Sequence, residues 1–239
     1  MTIAQLAHWR PFASVQSIAL VLFLAMQART AVGQDFQNWN EVDLTASGKK
    51  VDFLAPLVAR TDPRKHNPQF AATGVVALLP LARHFQFVGG YLFADLPHSS
   101  QVAHVPVVAV AASLTAKHLK VVEQNRFEKL FDYGSEPVRY RNLLLADVSI
   151  GHGQWHSFVS DEIFFNLSNS TWNQNRFQAG AGRRLSPRLR LDLYYLQRNA
   201  SGGAVPAHGL GTILTVRMPN RSSLRPSAQN CAAAVGPIQ

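Results

Sequence analysis

The chain has 239 residues, of which 47% are hydrophobic and only 15% are Asp, Glu, Lys or Arg, against roughly 25% charged in a soluble domain. Its 23 basic and 14 acidic side chains give a formal charge of +9, and a mean hydropathy of -0.02 excludes disorder for most of the chain. A lone Cys231 excludes an internal disulfide and a cysteine-rich zinc site, and the length fits one domain.

Arg10 precedes an apolar run at 18–26, and Ala31-Val32-Gly33 follows ahead of Gln34. A positive region, a short apolar region and a small-x-small site predict a cleaved secretory signal peptide over 1–33. The run is about half the roughly 20 residues that a membrane-spanning helix needs. At the other end, residues 219–239 hold Pro, Ser, Ala, Asn and Gln, which predicts a flexible tail. The domain is thus expected over 34–218. An exported chain without a basic, aromatic-interleaved run points away from nucleic acid as a partner. Anionic lipid head groups are the plainer match for its positive charge.

Between these ends, period-2 alternation recurs and no convincing 3.6-residue repeat appears. Candidate strands fall at 37–46, 50–60, 71–81, 84–94, 102–115, 118–131, 138–150, 155–167, 173–185, 189–195 and 208–218. The clearest is 189–195, where Leu189, Leu191, Leu193 and Tyr195 share one face and Arg190, Asp192 and Tyr194 the other. Short connections at 47–49, 81–84, 115–118 and 185–188 alternate with longer ones at 61–70, 95–101, 132–136, 168–172 and 199–207. That asymmetry predicts an all-β, antiparallel up-and-down membrane barrel of about 10 to 12 strands, with tight periplasmic turns and longer outer loops. Eleven strands would leave the first and last parallel. Because bacterial single-chain barrels usually have an even count, ten or twelve is expected, with a slight lean to twelve. Pro80 and Pro106 lie within strands, where a missing N–H weakens the ladder.

Alternation also assigns a lumen. Gln-Asn-Arg-Phe occurs at 124–127 and 174–177, which turns Gln124, Arg126 and Glu128 to one face and Phe127 to the other. Arg176 follows the same rule in the second copy. Adding Trp39, Glu41, Asp43, Arg139, Arg141, Glu162, Arg184, Arg190 and Asp192 predicts a lumen of interleaved opposite charges. Two readings stay open: a polar pore or ligand slot, and a plug of mutual salt bridges. The narrow interior of small barrels favours the plug.

Catalytic signatures are weak. Neither a Gly-x-Ser-x-Gly elbow nor a His-Glu-x-x-His helix is present. His152, His156, Ser157 and Glu162 are the only candidates for an enzyme acting on lipid or lipopolysaccharide, and adjacent His156 and Ser157 point to opposite faces of a strand. The histidines are read as chance surface placements. A soluble periplasmic barrel holding an apolar ligand is the remaining alternative, separable by inverted polarity. No feature identifies a metal, nucleotide or other cofactor. Trp155 and Trp172 lie near strand ends, as interfacial anchors do.

Taken in order, Trp39-Asn-Glu-Val, Glu-Gln-Asn-Arg-Phe at 123–127, Arg-Tyr-Arg-Asn at 139–142, Asp-Glu-Ile-Phe-Phe-Asn at 161–166, Gln-Asn-Arg-Phe at 174–177 and Gly-Ala-Gly at 180–182 resemble the bacterial family filed as domain of unknown function 2490. The resemblance spans about 34–218. It implies a small outer-membrane-type barrel without an assigned activity. The expected setting is therefore the bacterial outer membrane, with outer-membrane lipid, lipopolysaccharide and the barrel assembly machinery as partners.

Overall fold

Each of the eleven predicted segments is a β-strand in the computed structural model of the chain, which describes residues 35–62, 67–96, 101–132, 137–151, 153–201 and 206–219. The predicted signal peptide, residues 220–239 of the tail with Cys231, and His152 lie outside the described residues. The strands are β1 (Asp35–Ser47), β2 (Asp52–Asp62), β3 (Asn67–Pro80), β4 (Phe85–Leu96), β5 (Gln101–Ala116) and β6 (Leu119–Lys129). They continue with β7 (Val138–Ile150), β8 (Trp155–Asn166), β9 (Thr171–Ser186), β10 (Leu189–Ala200) and β11 (Ala207–Arg217). Consecutive strands pair antiparallel all the way round, and the sheet closes on itself. The expected loop at 61–70 is shorter than read, because β3 already starts at Asn67.

The even count is corrected by the closure itself. β1 and β11 pair in parallel, in register from Asp35 opposite Ala207 to Thr45 opposite Arg217. Both strands start at the end of the barrel that carries the longer connections, so an odd number is what joins them. A parallel seam is slightly weaker per residue than an antiparallel one. The alternative is two open edges, whose N–H and C=O groups would find no partner in hydrocarbon.

The wall stays closed despite its prolines, although β2–β3 pairing lapses around Pro56, between Leu54 and Leu57. Pro80 is the last residue of β3. His104 exchanges both backbone bonds with Phe131, so the missing N–H of Pro106 faces β6, where the continuous β5–β6 ladder stops at Val107. Pro80 thus removes no bond from inside a ladder, whereas Pro106 lies at a gap between the His104–Phe131 bridge and Val107.

Polarity follows the pleat. On β10, Leu193 is 52% exposed and its neighbour Asp192 1%. Val75, Val108, Phe127, Leu144 and Phe177 likewise stand outward and exposed. Trp155 and Trp172 are exposed at opposite ends of the wall, at the start of β8 and near the start of β9. An apolar exterior around a charged interior is the polarity of a membrane barrel, and it is opposite to that of a soluble carrier.

The interior is divided rather than uniformly charged. Leu54, Val76, Val88, Leu92, Val105 and Leu130 form one apolar cluster on the inner face of the β2–β5 sector and its border with β6. Most of the charged side chains occupy β6–β10 and β1, with Arg60 and Asp62 inward at the loop end of β2. An eight-stranded barrel is just wide enough for side chains to fill. Eleven strands leave more space, which is taken up by Trp39, Arg126, Arg141, Arg176 and Phe164, each under 2% exposed by side chain.

The parallel seam is directly testable. Asn40 and Thr212 are register partners across it, and their side chains hydrogen-bond at 2.8 Å. Cysteines at 40 and 212, in a Cys231→Ala background, are expected to form a disulfide in the folded barrel on mild oxidation. Failure to cross-link in a barrel that is otherwise folded would contradict eleven-strand closure.

Candidate functional site

Glu128 is the hub of the lumenal charges. Its carboxylate contacts Arg126 on its own strand, Arg139 at 2.7 Å and Arg141 at 2.7 Å. The sheet dictates this gathering, since Arg126 is opposite Arg141, and Glu128 opposite Arg139, across the β6–β7 ladder. Arg141 then spans to β8, placing Nη2 2.5 Å and Nε 2.9 Å from the same oxygen of Glu162. The second oxygen of Glu162 takes Arg176 of β9 at 3.3 Å. Two carboxylates thus tie four guanidiniums, and the six groups together span the four adjacent strands β6–β9.

Aromatic rings continue the network where acids run out. Arg141 lies 4.4 Å from the Phe164 ring centroid, and Arg176 4.9 Å from both Phe164 and Trp39. Arg60 of β2 covers the other side of the stack, 5.3 Å from Trp39 and 5.2 Å from Phe70. Cation and ring therefore alternate across the lumen, from the ionic sector to the apolar one. Each such contact contributes about 0.5–2 kcal/mol when desolvated. A planar, weakly hydrated guanidinium can stack and hydrogen-bond at once, which an ammonium cannot do.

A second cluster lies nearer the short-turn end. His156 is held through Nδ1 to Asp147 at 2.8 Å and through Nε2 to Asp192 at 2.9 Å, while Arg190 takes the other oxygen of Asp192 at 2.8 Å. Gly182 makes room for this arrangement, because a Cβ there would overlap the Asp192 carboxylate and the imidazole. Gly211 does the same for the buried Tyr194 ring.

Of the predicted lumenal residues, Glu41, Asp43, Arg126, Glu128, Arg139, Arg141, Glu162, Arg176 and Asp192 are all buried inside the wall. Glu41 and Asp43 sit side by side on β1, within the fields of Arg176 and Arg190 respectively. Arg190 is partly exposed. Arg184 is corrected: it stands two residues from the end of β9 and is exposed at the mouth, outside the buried network. His156 is also corrected, from a surface residue to a lumenal one. It meets neither Ser157, which turns to the opposite face, nor Glu162, whose bonds go to arginines. Sequence reading missed Arg60, Phe70 and Phe164, because ring and cation come from strands far apart in the chain.

Glu128 carries the sharpest consequence. Glu128→Gln leaves three arginines with one neutral amide, and breaking a buried ion pair by removing one partner typically costs about 3–5 kcal/mol. The folded barrel is expected to unfold at markedly lower temperature, read as loss of heat-resistant mobility in detergent gels. An unchanged transition would mean that water already screens these charges.

Comparison with known proteins adds a family and no activity. No curated protein matches the chain. Among solved structures, a KdgM porin is similar with a TM-score of 0.41 and 14% sequence identity, over 69% of this chain and 90% of that one. Residues 36–205 match the family described as protein of unknown function, DUF2490. The chain belongs to that family, as the order of its Trp39, Gln-Asn-Arg-Phe and Arg-Tyr-Arg-Asn motifs anticipates.

Proposed function

We propose that this protein is a plugged barrel of the bacterial outer membrane, exported through a cleaved signal peptide, that serves a structural or binding role and neither conducts steadily nor catalyses. The observation that carries this reading is the burial of the lumenal charges. Arg126, Arg141, Arg176 and Glu128 are 1–2% exposed, and the arginines lie against Glu128, Glu162 and aromatic rings. A hydrated pore would leave such groups open to water.

The placement in the outer membrane is supported by the apolar outward belt and the closed wall. Its surroundings on this reading are outer-membrane lipid and lipopolysaccharide, its insertion depends on the barrel assembly machinery, and nucleic acid is not a partner. Against catalysis on lipid stands the separation of His156, inside, from Ser157, outside.

Glu162→Gln distinguishes plug from channel. Glu162 holds Arg141 and Arg176 together, so its loss is expected to lower heat resistance, by about 3–5 kcal/mol for an uncompensated buried charge. Planar bilayers should show no steady step currents before or after the change. Stable, ion-selective currents in the wild type, altered by Glu162→Gln without loss of stability, would overturn the plug. Recovery of the protein outside the outer-membrane fraction would overturn the location.

A further inference from the structure

The outer surface of β6–β9 breaks the apolar pattern of the wall. Asn125, Asn142 and Asn175 lie on one row of register partners, interrupted by Ile163. Glu123 and Asp161 lie on the next row, with Leu144 between them and Phe177 beyond. All of these alternate with lumenal residues and so face outward. The level is that of the hydrocarbon: Asp161 stands between Val159 and Ile163, which are 41% and 42% exposed, on a strand that starts at the interfacial Trp155.

These groups bond to one another and are not exhausted by it. The amides of Asn125 and Asn142 donate to Glu123 at 3.4 and 3.3 Å, Asn142 donates to the Asn125 carbonyl oxygen at 3.1 Å, and the Tyr140 hydroxyl donates to that same oxygen at 2.5 Å. Asn175 donates to Asp161 at 2.6 Å. The carboxylates are bonded by amides rather than by cations, and each retains acceptor capacity. Lipid tails offer such groups nothing, and leaving them unmatched in hydrocarbon is costly. Toward the short-turn end, the outward residues next to the patch include Ala146, Ser157, Ala179 and Ala181, small enough for another wall to approach closely.

The geometry of the patch favours one occupant. Leu119, at the short-turn end of β6, pairs with Val148, short of the end of β7 at Ile150, and Trp155 pairs with Arg183, short of the end of β9 at Ser186. Pairing rows therefore climb toward the loop end from β6 to β9. With strands tilted about 35–45°, Asn142 and Asp161 come within about 2 Å of the same height and about 8 Å apart along the wall, from strand rise and spacing. Leu144 lies midway between them and about 4 Å lower, from the same rise and tilt. A donor and an acceptor at one height are self-complementary about an axis along the membrane normal. A cation-bearing partner would satisfy only the acids.

We propose that the outer face of β6–β9 binds a second copy of this chain, forming a two-fold dimer in the membrane in which each Asn142 amide exchanges its long 3.3 Å bond to Glu123 for one to Asp161 of the other copy, while Glu123 keeps its bond from Asn125. Such an interface is isologous, so one pair of residues is used twice. Leu144 falls on the axis and meets its own counterpart. The dimer needs neither conduction nor catalysis, and it leaves the lumenal network untouched.

Leu144→Cys in a Cys231→Ala background tests it in native outer membranes. Oxidation is expected to yield a species of twice the chain mass, and Val110→Cys, outward on β5 and 44% exposed, is expected to yield none. Asp161→Leu, added to Leu144→Cys, should cut cross-linking at least tenfold while the barrel keeps its heat-modifiable mobility. If that variant fails to fold, Asn142→Leu carries the same expectation. No dimer at Leu144→Cys, equal dimer at Val110→Cys, cross-linking undiminished by the folded variants, or a product containing a different protein would each overturn the proposal.

Discussion

The guanidinium groups of Arg126, Arg141 and Arg176 lie inside a closed wall whose outer surface is largely apolar, so other side chains must answer their charge. Much of the interior follows from that requirement. Glu128 gathers three arginines and Glu162 two, the rings of Phe164 and Trp39 take the remaining faces, and Arg60 connects the stack to the apolar sector. The wall must bring these groups together without gaps, and the parallel β1–β11 seam seats Trp39 and Glu41 beside the strands that carry their partners. Opening the seam would withdraw β1 from the lumen as well as exposing two edges.

The division of the lumen has a thermodynamic meaning. A buried ionic network is worth little over a hydrophobic one of equal volume, and breaking one partner is what costs. The β2–β5 sector, with Leu54, Val76, Leu92 and Val105, supplies ordinary apolar packing. The ionic sector instead fixes register and geometry, because each arginine finds its acid only when its strand is correctly aligned. A one-residue slip of β7 would turn Arg139 and Arg141 toward lipid and Tyr140 and Asn142 inward.

Where the two faces of a strand differ, the sequence was readable. Leu189 to Tyr195 and the Gln-Asn-Arg-Phe repeats show inward charge beside outward apolar residues, and nine of the eleven predicted lumenal charges are buried as read. The apolar sector was obscured because β5 carries Val and Ala on both faces, so alternation has no contrast there. The seam was unreadable for another reason: pairing between the first and last strands leaves no local pattern. His156 looked like a surface residue because Asp147 and Asp192, its partners, arrive from β7 and β10. The outward Glu123, Asn142 and Asp161 lie within the motifs beside lumenal charges, and alternation alone gives a polar residue on the lipid face no partner.

Water's access to the middle of the barrel tests the sealed lumen most directly. In a Cys231→Ala background, single cysteines would replace Leu196, which is fully buried on the inner face of β10, and Arg190, at the short-turn mouth of the same strand. A charged, membrane-impermeant thiol reagent applied to the folded barrel is predicted to modify position 190 readily and to leave position 196 unmodified until the barrel is unfolded. Comparable modification of both positions in the folded protein would mean a hydrated passage through the arginine network, and would contradict the plug.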